Sequence, residues 1–314
     1  MVHLVAPEVF NPAIPFPWKL EINYAAGGLE LLLALGLWPA RTRENAARWS
    51  ALWFLLLTPV HLYICTFSIP IFGVSSPWLL WGRTLLQPVL YFWALSLQRS
   101  GWLMAQRWRE VAFLHYEVSP SELQKKVPFP LDLYEGKAII SIVPFIMEGI
   151  RFPFLPAIPG LSRLLELNLR TYVNVNGKRG VYFFTLDSNH LPGVLIARWF
   201  FALPYRWVKL TFSSSTNYAF TAPNLRLAGE VGPPRTSSAF DLWATERYAL
   251  FTKRGNSTLI GVVEHVPWSL QDFKVLELDD RFSSLLGDNL ALKTCFATSY
   301  CASLDVRFRP FRKA

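Results

Sequence analysis

The spacing of hydrophobic and polar residues changes along the chain, and each change predicts a different kind of structure. The first hundred residues carry three long apolar runs, at 23–39, 46–69 and 78–97. Each is close to the ~20 residues that span ~30 Å of hydrocarbon. Further on the apolar runs shorten, and from Glu166 to Asn176 they alternate. Leu167, Leu169, Thr171, Val173 and Val175 fall on one side of an extended segment. Glu166, Asn168, Arg170, Tyr172, Asn174 and Asn176 fall on the other. That alternation predicts a strand with one apolar face. Asn176-Gly177 supplies the positive-φ positions of a tight turn, and residues 181–186, β-branched and aromatic, form the return strand. After Asp187 the spacing lengthens to three and four through Val194, Arg198 and Phe201, which predicts a short helix ending before Pro204.

The same reading gives further strands at 110–118, 137–148, 208–213, 215–222, 225–231, 249–254 and 257–265, and a last one through Leu304, Val306 and Phe308. Ser119-Pro-Ser-Glu122 reads as a capping box opening a short helix. Residues 268–276 read as a segment packed beneath the strands. The proline-rich apolar stretch 152–160 reads as a lid or a membrane-contacting loop. Many short strands with few helices predict a closed or nearly closed antiparallel barrel. The expected fold class is therefore α+β. Transmembrane helices occupy residues 1–100, a β-barrel domain occupies 106–314, and a joint at 100–107 is short enough to hold the barrel near the membrane.

Composition sharpens the first half of this picture. Of 314 residues, 52% are hydrophobic and only 17% charged, against about a quarter charged in ordinary soluble proteins. The 13 tryptophans suit the interfacial belts of a membrane protein. Arg41, Arg43 and Arg48 crowd the link between the first two runs, whereas residues 66–77 carry no charge. By the positive-inside rule the first link and the C-terminal domain lie in the cytoplasm and Met1 outside. Within the runs, Glu30, His61, Arg83 and Gln87 are functional candidates by default, with an internal Glu30–Arg83 pair as the structural alternative. Net charge is +9, and the basic domain beside a membrane points to anionic lipid as a partner. The three cysteines form no metal spacing and suit a reducing compartment.

The order Glu166, Asn176-Gly177, Gly180, Tyr182, Arg198, Pro204 resembles acetoacetate decarboxylase. The segments QRWREVAFLHYEVSP, PFIMEGIRFPFLPAIPG, ELNLRTYV, GVYFFTLD, TERYAL and EHVPWSLQ resemble more closely the uncharacterised bacterial YqjF-like family, thought to share the decarboxylase fold. The resemblance runs from about Gln106 to Pro310 and implies an acetoacetate decarboxylase-like barrel with no assigned reaction. By position Glu166 matches the active-site glutamate of the decarboxylases. Those enzymes carry a Lys-Lys pair just after the proline, one lysine forming the Schiff base, and here the positions are Tyr205 and Arg206. Arginine does not deprotonate to an amine nucleophile, so the resemblance implies a pocket without imine chemistry. Lys209 lies three residues beyond. At the other end, HLVAPEVFNPAIP and GGLELLLALGLWPARTRENAA resemble the small DoxX-like membrane family.

The expected function is binding of a small anionic or carbonyl-bearing molecule by Arg170 and Arg198 near Glu166, with Asn168, Tyr172, Tyr205 and Arg206 as further lining. One alternative is an enzyme using Glu166 as general acid or base. Another is a non-catalytic scaffold with a basic face for lipid or a partner. The structural alternatives for Glu166 are an ion pair with Arg170 or Arg198 and a solvated strand face. No phosphate-binding loop, nucleophile elbow or metal spacing occurs, so no cofactor or metal is expected. Nothing points to nucleic acid, and the oligomeric state stays open.

Overall fold

A computed structural model describes all residues except 1, 15, 72, 74, 99–100, 215–216 and 288–294, with the side chains of 2, 200, 283 and 284 also outside the description. The chain forms two compact units, Met1–Leu103 and Met104–Ala314.

The first unit is helical. A short helix α1 (Val2–Val5) and a 3-10 turn precede α2 (Lys19–Leu37), α3 (Ala40–Thr66) and α4 (Pro77–Ser96). Pro39 sets an extended backbone between α2 and α3, and Pro77 opens α4 at a first-turn position where its missing N–H costs nothing. Among the described residues two helices, α2 and α3, are long and apolar enough to cross a membrane. The third expected span is observed as α4, a helix of 20 residues that carries Arg83 and Gln87 and is not among those two. Buried polar groups join α3 to α4. Cys65 Sγ lies 3.0 Å from Thr84 Oγ1, and His61 Nε2 lies 3.3 Å from Gln87 Nε2. His3 lies 3.9 Å from Glu30, and Arg83 sits over the ring of Phe10.

The second unit is one thirteen-stranded sheet. Its strands are β1 (Met104–Val118), β2 (Ala138–Arg151), β3 (Leu164–Val175), β4 (Lys178–Ser188), β5 (Tyr205–Trp207), β6 (Thr211–Ser213), β7 (Tyr218–Ala222), β8 (Leu225–Pro234), β9 (Ala249–Arg254), β10 (Ser257–Glu264), β11 (Gln271–Asp280), β12 (Cys295–Phe308) and β13 (Arg312–Lys313). Short helices α5 (Pro120–Gln124), α6 (Leu191–Phe201) and α7 (Ala239–Thr245) interrupt them. The strands run in the order β13-β10-β9-β4-β3-β2-β1-β12-β11-β8-β7-β6. Strand β10 also pairs with β12, through Val263 with Phe308 and Glu264 with Arg307. The path β12-β1-β2-β3-β4-β9-β10 thus returns on itself, a ring of hydrogen-bonded strands.

Two features depart from an all-antiparallel sheet: β4 runs parallel to both β5 and β9. The β4–β9 seam needs a glycine. A Cβ on Gly180 would lie 2.6 Å from the carbonyl oxygen of Ala249 and 2.8 Å from Cε2 of Phe251. Other expectations shift as well. Of residues 208–213 only Thr211–Ser213 form a strand, β6, and 271–280 form a strand, not a packed segment. The strand read at 215–222 begins outside the described residues and is observed as β7. Ser119 makes no side-chain cap on α5. The true capping box lies on α7, where Ser238 Oγ accepts from the Asp241 amide and Asp241 accepts from the Ser238 amide.

Burial divides the unit into two cores, one on each side of the ring strands. One holds Leu165, Leu167, Leu169 and Val173 of β3 with side chains from β7, β8 and β11. The other takes a buried residue from every ring strand, among them Phe113, Val143, Tyr172, Val181, Leu250, Val263 and Leu304, and adds Trp243 of α7 and Trp268. Both faces of β3 are therefore buried, so the face read as polar from the sequence is an interior face.

Candidate functional site

Strand β3 builds the site because alternation sends every second side chain to the second core. Glu166, Asn168, Arg170 and Tyr172 share that face with Leu164, and none is more than 8% exposed. A register shift between Leu169 and Arg170 against β4 places Arg170 opposite Phe183. On the other side Arg170 faces Ser141 of β2, and Ser141 faces His115 of β1.

Glu166 pairs across strands with Phe145 and Ser188. Its charged partner is neither Arg170 nor Arg198. Four residues of extended strand separate Glu166 and Arg170 by roughly 13 Å. What reaches Glu166 is Tyr205, whose hydroxyl donates to Oε2 at 2.6 Å. The geometry follows from β5 running parallel to β4, which sets Tyr205 beside Leu186, next to the Glu166 row. Burial pushes the Glu166 carboxyl up to about 7. The hydrogen bonds from Tyr205 and Asn168 act against that rise, and the negative charge of Asp187 adds to it. Burial and Glu166 together hold the Tyr205 phenol well above its ordinary range. Glu166 can therefore take or give a proton near neutral pH, with Tyr205 holding its orientation.

Arg170 forms the second part. Its guanidinium lies over the rings of Phe113 and Tyr172, with its carbon 5.4 and 5.8 Å from their centroids. Nε and Nη2 have no hydrogen-bond partner among the described residues. Next to it Ser141 Oγ lies 2.7 Å from both His115 Nδ1 and Tyr172 Oη. Burial first, then the positive charge of Arg170, pushes His115 down to about 3, so the imidazole is neutral. Among the described residues its Nε2 also lacks a partner, as does Asn168 Oδ1 between Arg170 and Glu166. Buried polar atoms are almost always satisfied. Here several orphans line one interior face, together offering donors to an anion and a polar contact toward Glu166.

A neighbouring guanidinium, that of Arg247, has a carboxylate partner, although its Nη2 finds no hydrogen-bond partner among the described residues. Arg247, buried, pairs with Asp132, donates from Nε to the Trp243 carbonyl at 2.6 Å, and lies over the Trp243 ring. Arg179 shares Asp132 at 2.8 Å.

The remaining expected residues separate from this group. Arg206 points to the opposite face of β4, where it grips the buried carboxylate of Asp187 through two hydrogen bonds of 2.7 Å and covers Phe282. The one-residue step from Tyr205 reverses the face. Arg198 is exposed on α6 and Lys209 is exposed beyond β5. His115, Ser141 and Arg247 were not legible as site residues. His115 and Ser141 reach Arg170 only through the strand register, although TERYAL, which contains Arg247, carries the family resemblance. A separate cleft of about 400 Å³, lined by Glu110, Tyr218, Glu230, Gln271 and Tyr300, shares no residue with the site.

Comparison with known proteins agrees with this fold. Residues 105–302 match a family described as "Uncharacterized conserved protein (COG2071)". Residues 1–98 match a domain of unknown function (DUF8561), and the DoxX-like resemblance is not shown. The uncharacterized protein YqjF of Bacillus subtilis (strain 168) is 36% identical over 236 residues, which is 70% of this chain and 96% of YqjF. A solved acetoacetate decarboxylase from Legionella pneumophila subsp. pneumophila str. Philadelphia 1 superposes with a TM-score of 0.54 at 14% identity, over 68% of this chain and 87% of that one. That likeness is one of fold alone. With the family matched across most of the strand-rich unit and YqjF spanned almost end to end, the chain belongs to the uncharacterized conserved COG2071 family.

Proposed function

We propose that this chain is a membrane-anchored protein whose C-terminal domain binds a small carboxylate, with a carbonyl group beside it, inside the ring of strands. The ring is then a closed barrel with its ligand in the interior. The observation that carries the reading is Arg170, 8% exposed, with two nitrogen atoms lacking a partner among the described residues. A buried guanidinium is held at a cost unless a carboxylate completes it, and the guanidinium fork fits one bidentately. Arg198 and Arg206 have no part in this site. Calorimetry of the full chain in detergent, with 2- and 3-keto acids and their neutral amides, tests the reading. Saturable binding of an acid is expected, weaker by at least ~30-fold in Arg170→Gln, as for a buried charge pair that loses one partner. If no acid binds, or if Arg170→Gln binds it equally, the reading falls.

The carboxyl of Glu166, with its proton affinity near neutrality, supports a second reading. The bound molecule is then turned over by proton transfer at Glu166, without an imine, since a phenol occupies the position beside it.

The anchor is α2, α3 and α4, with Met1 outside and the strand-rich domain in the cytoplasm. Arg41, Arg43 and Arg48 lie in the first turns of α3, and moving them through hydrocarbon costs several kcal/mol in total on insertion scales. A fluorescent protein fused after Ala314 should be bright and alkaline phosphatase there inactive. The reverse pattern would overturn the topology.

A further inference from the structure

Helix α6 exposes four large apolar side chains among its described residues. Val194 is buried, while Leu191 is 42%, Leu195 51%, Ile196 45% and Trp199 82% exposed. A second apolar segment lies next to it. In the loop between β2 and β3, Phe154, Ile158 and Leu161 are exposed, and Phe154 is held at φ +64°. The two are joined at their bases. Leu165 donates its amide to Asn189 Oδ1 at 2.9 Å, and Gly193 of α6 sits against Leu164. Neither segment contains an acid. Residues 149–165 and 188–211 hold no Asp or Glu, yet they present Arg151, Arg163, Arg198 and Lys209 to solvent.

We propose that α6 and the 152–161 loop form a surface that docks on an anionic lipid bilayer. Adjacent exposed apolar side chains of this size mark an interaction site, not an ordinary surface. An apolar helix face with a tryptophan and flanking arginines is the composition that lies in the headgroup region, its side chains entering by ~5–10 Å. The charge selects the occupant. A second copy of this chain meeting the same face across a two-fold axis would bring its own four cations against these. An anionic leaflet attracts all of them. The proposed anchor would also hold the chain at a bilayer, since two of its helices are long and apolar enough to cross one. The inference does not depend on what the interior of the ring binds.

The test is amide hydrogen exchange of the full chain in nanodiscs of phosphatidylcholine alone or mixed with anionic phosphatidylglycerol. Peptides covering 152–161 and 191–201 should exchange more slowly in the anionic discs, and raised salt should shrink the difference. Arg198→Glu should lower that protection by at least about fivefold, the contribution of one basic group beside an anionic leaflet. Leu195→Ser/Trp199→Ser should lower it in both lipids, with an unchanged melting midpoint as evidence of intact folding. Exchange indifferent to lipid and to both variants would overturn the proposal. So would protection that appears in detergent as protein concentration rises, since that assigns the face to a second copy.

Discussion

Replacing Arg170 with methionine is expected to stabilise the protein while abolishing its capacity to hold a carboxylate. The side chain is buried, two of its nitrogens have no acceptor among the described residues, and it lies over the faces of Phe113 and Tyr172. Those cation–π contacts recover part of the desolvation cost but supply no anion. Replacing buried charges by well-packed apolar side chains of similar volume is neutral or stabilising by ~1–4 kcal/mol. A gain of about 2 kcal/mol corresponds to roughly 4–8 °C for a domain of this size. Thermal unfolding of the full chain in detergent measures it. A methionine variant less stable by several kcal/mol would mean that Arg170 holds the fold together, and the binding role would be lost with that result.

The second large effect concerns pH. Burial lifts the Glu166 carboxyl from the ordinary value of 4.5 to about 7. Between those values the folded protein keeps a proton that the unfolded chain releases. The stability contributed by the neutral carboxyl is therefore fully present below about pH 4.5 and is lost as pH rises through 7. Glutamine has the same shape, accepts the hydrogen bond from Tyr205 and does not titrate. Glu166→Gln should match the native protein near pH 4 and exceed it at pH 8 by about 3 kcal/mol, the free energy of a shift of this size. Unfolding midpoints across that range should diverge with rising pH. Two parallel curves would show that Glu166 is not held neutral by burial.

Much of the strand-rich unit was legible because alternation is a local property. The division of β3 into Leu167, Leu169, Thr171 and Val173 against Glu166, Asn168, Arg170 and Tyr172 follows from a period of two and holds in the structure. What that period cannot supply is how many layers cover a face. A polar face reads as solvated or as a pocket until the ring brings other strands over it. The partners of Arg170 were hidden for the same reason. His115 and Ser141 lie 55 and 29 positions earlier, and only the cross-strand register aligns them (170 − 115 = 55; 170 − 141 = 29). Arg206 and Tyr205 stand together at the positions where the resemblance places the decarboxylase lysine pair. Adjacent strand residues face opposite ways, so the pair divides between Asp187 and Glu166. The parallel seam at Gly180 rests on a backbone approach with no hydrophobic signature.

The return of β10 and β1 onto β12 imposes an order of events at the ribosome. Arg107 on β1 meets Asp305 on β12, 198 residues later in the chain. At synthesis rates of ~5–20 residues per second, β1 waits roughly 10–40 s for the strand that covers one of its edges. During that interval its backbone N–H and C=O groups can be taken by another nascent chain. Contacts this distant in sequence also form slowly once available. A premature stop ahead of Cys295 would leave open edges on β1, β10 and β11 at once. Quality control would then face an adhesive intermediate, not a slightly shortened native protein.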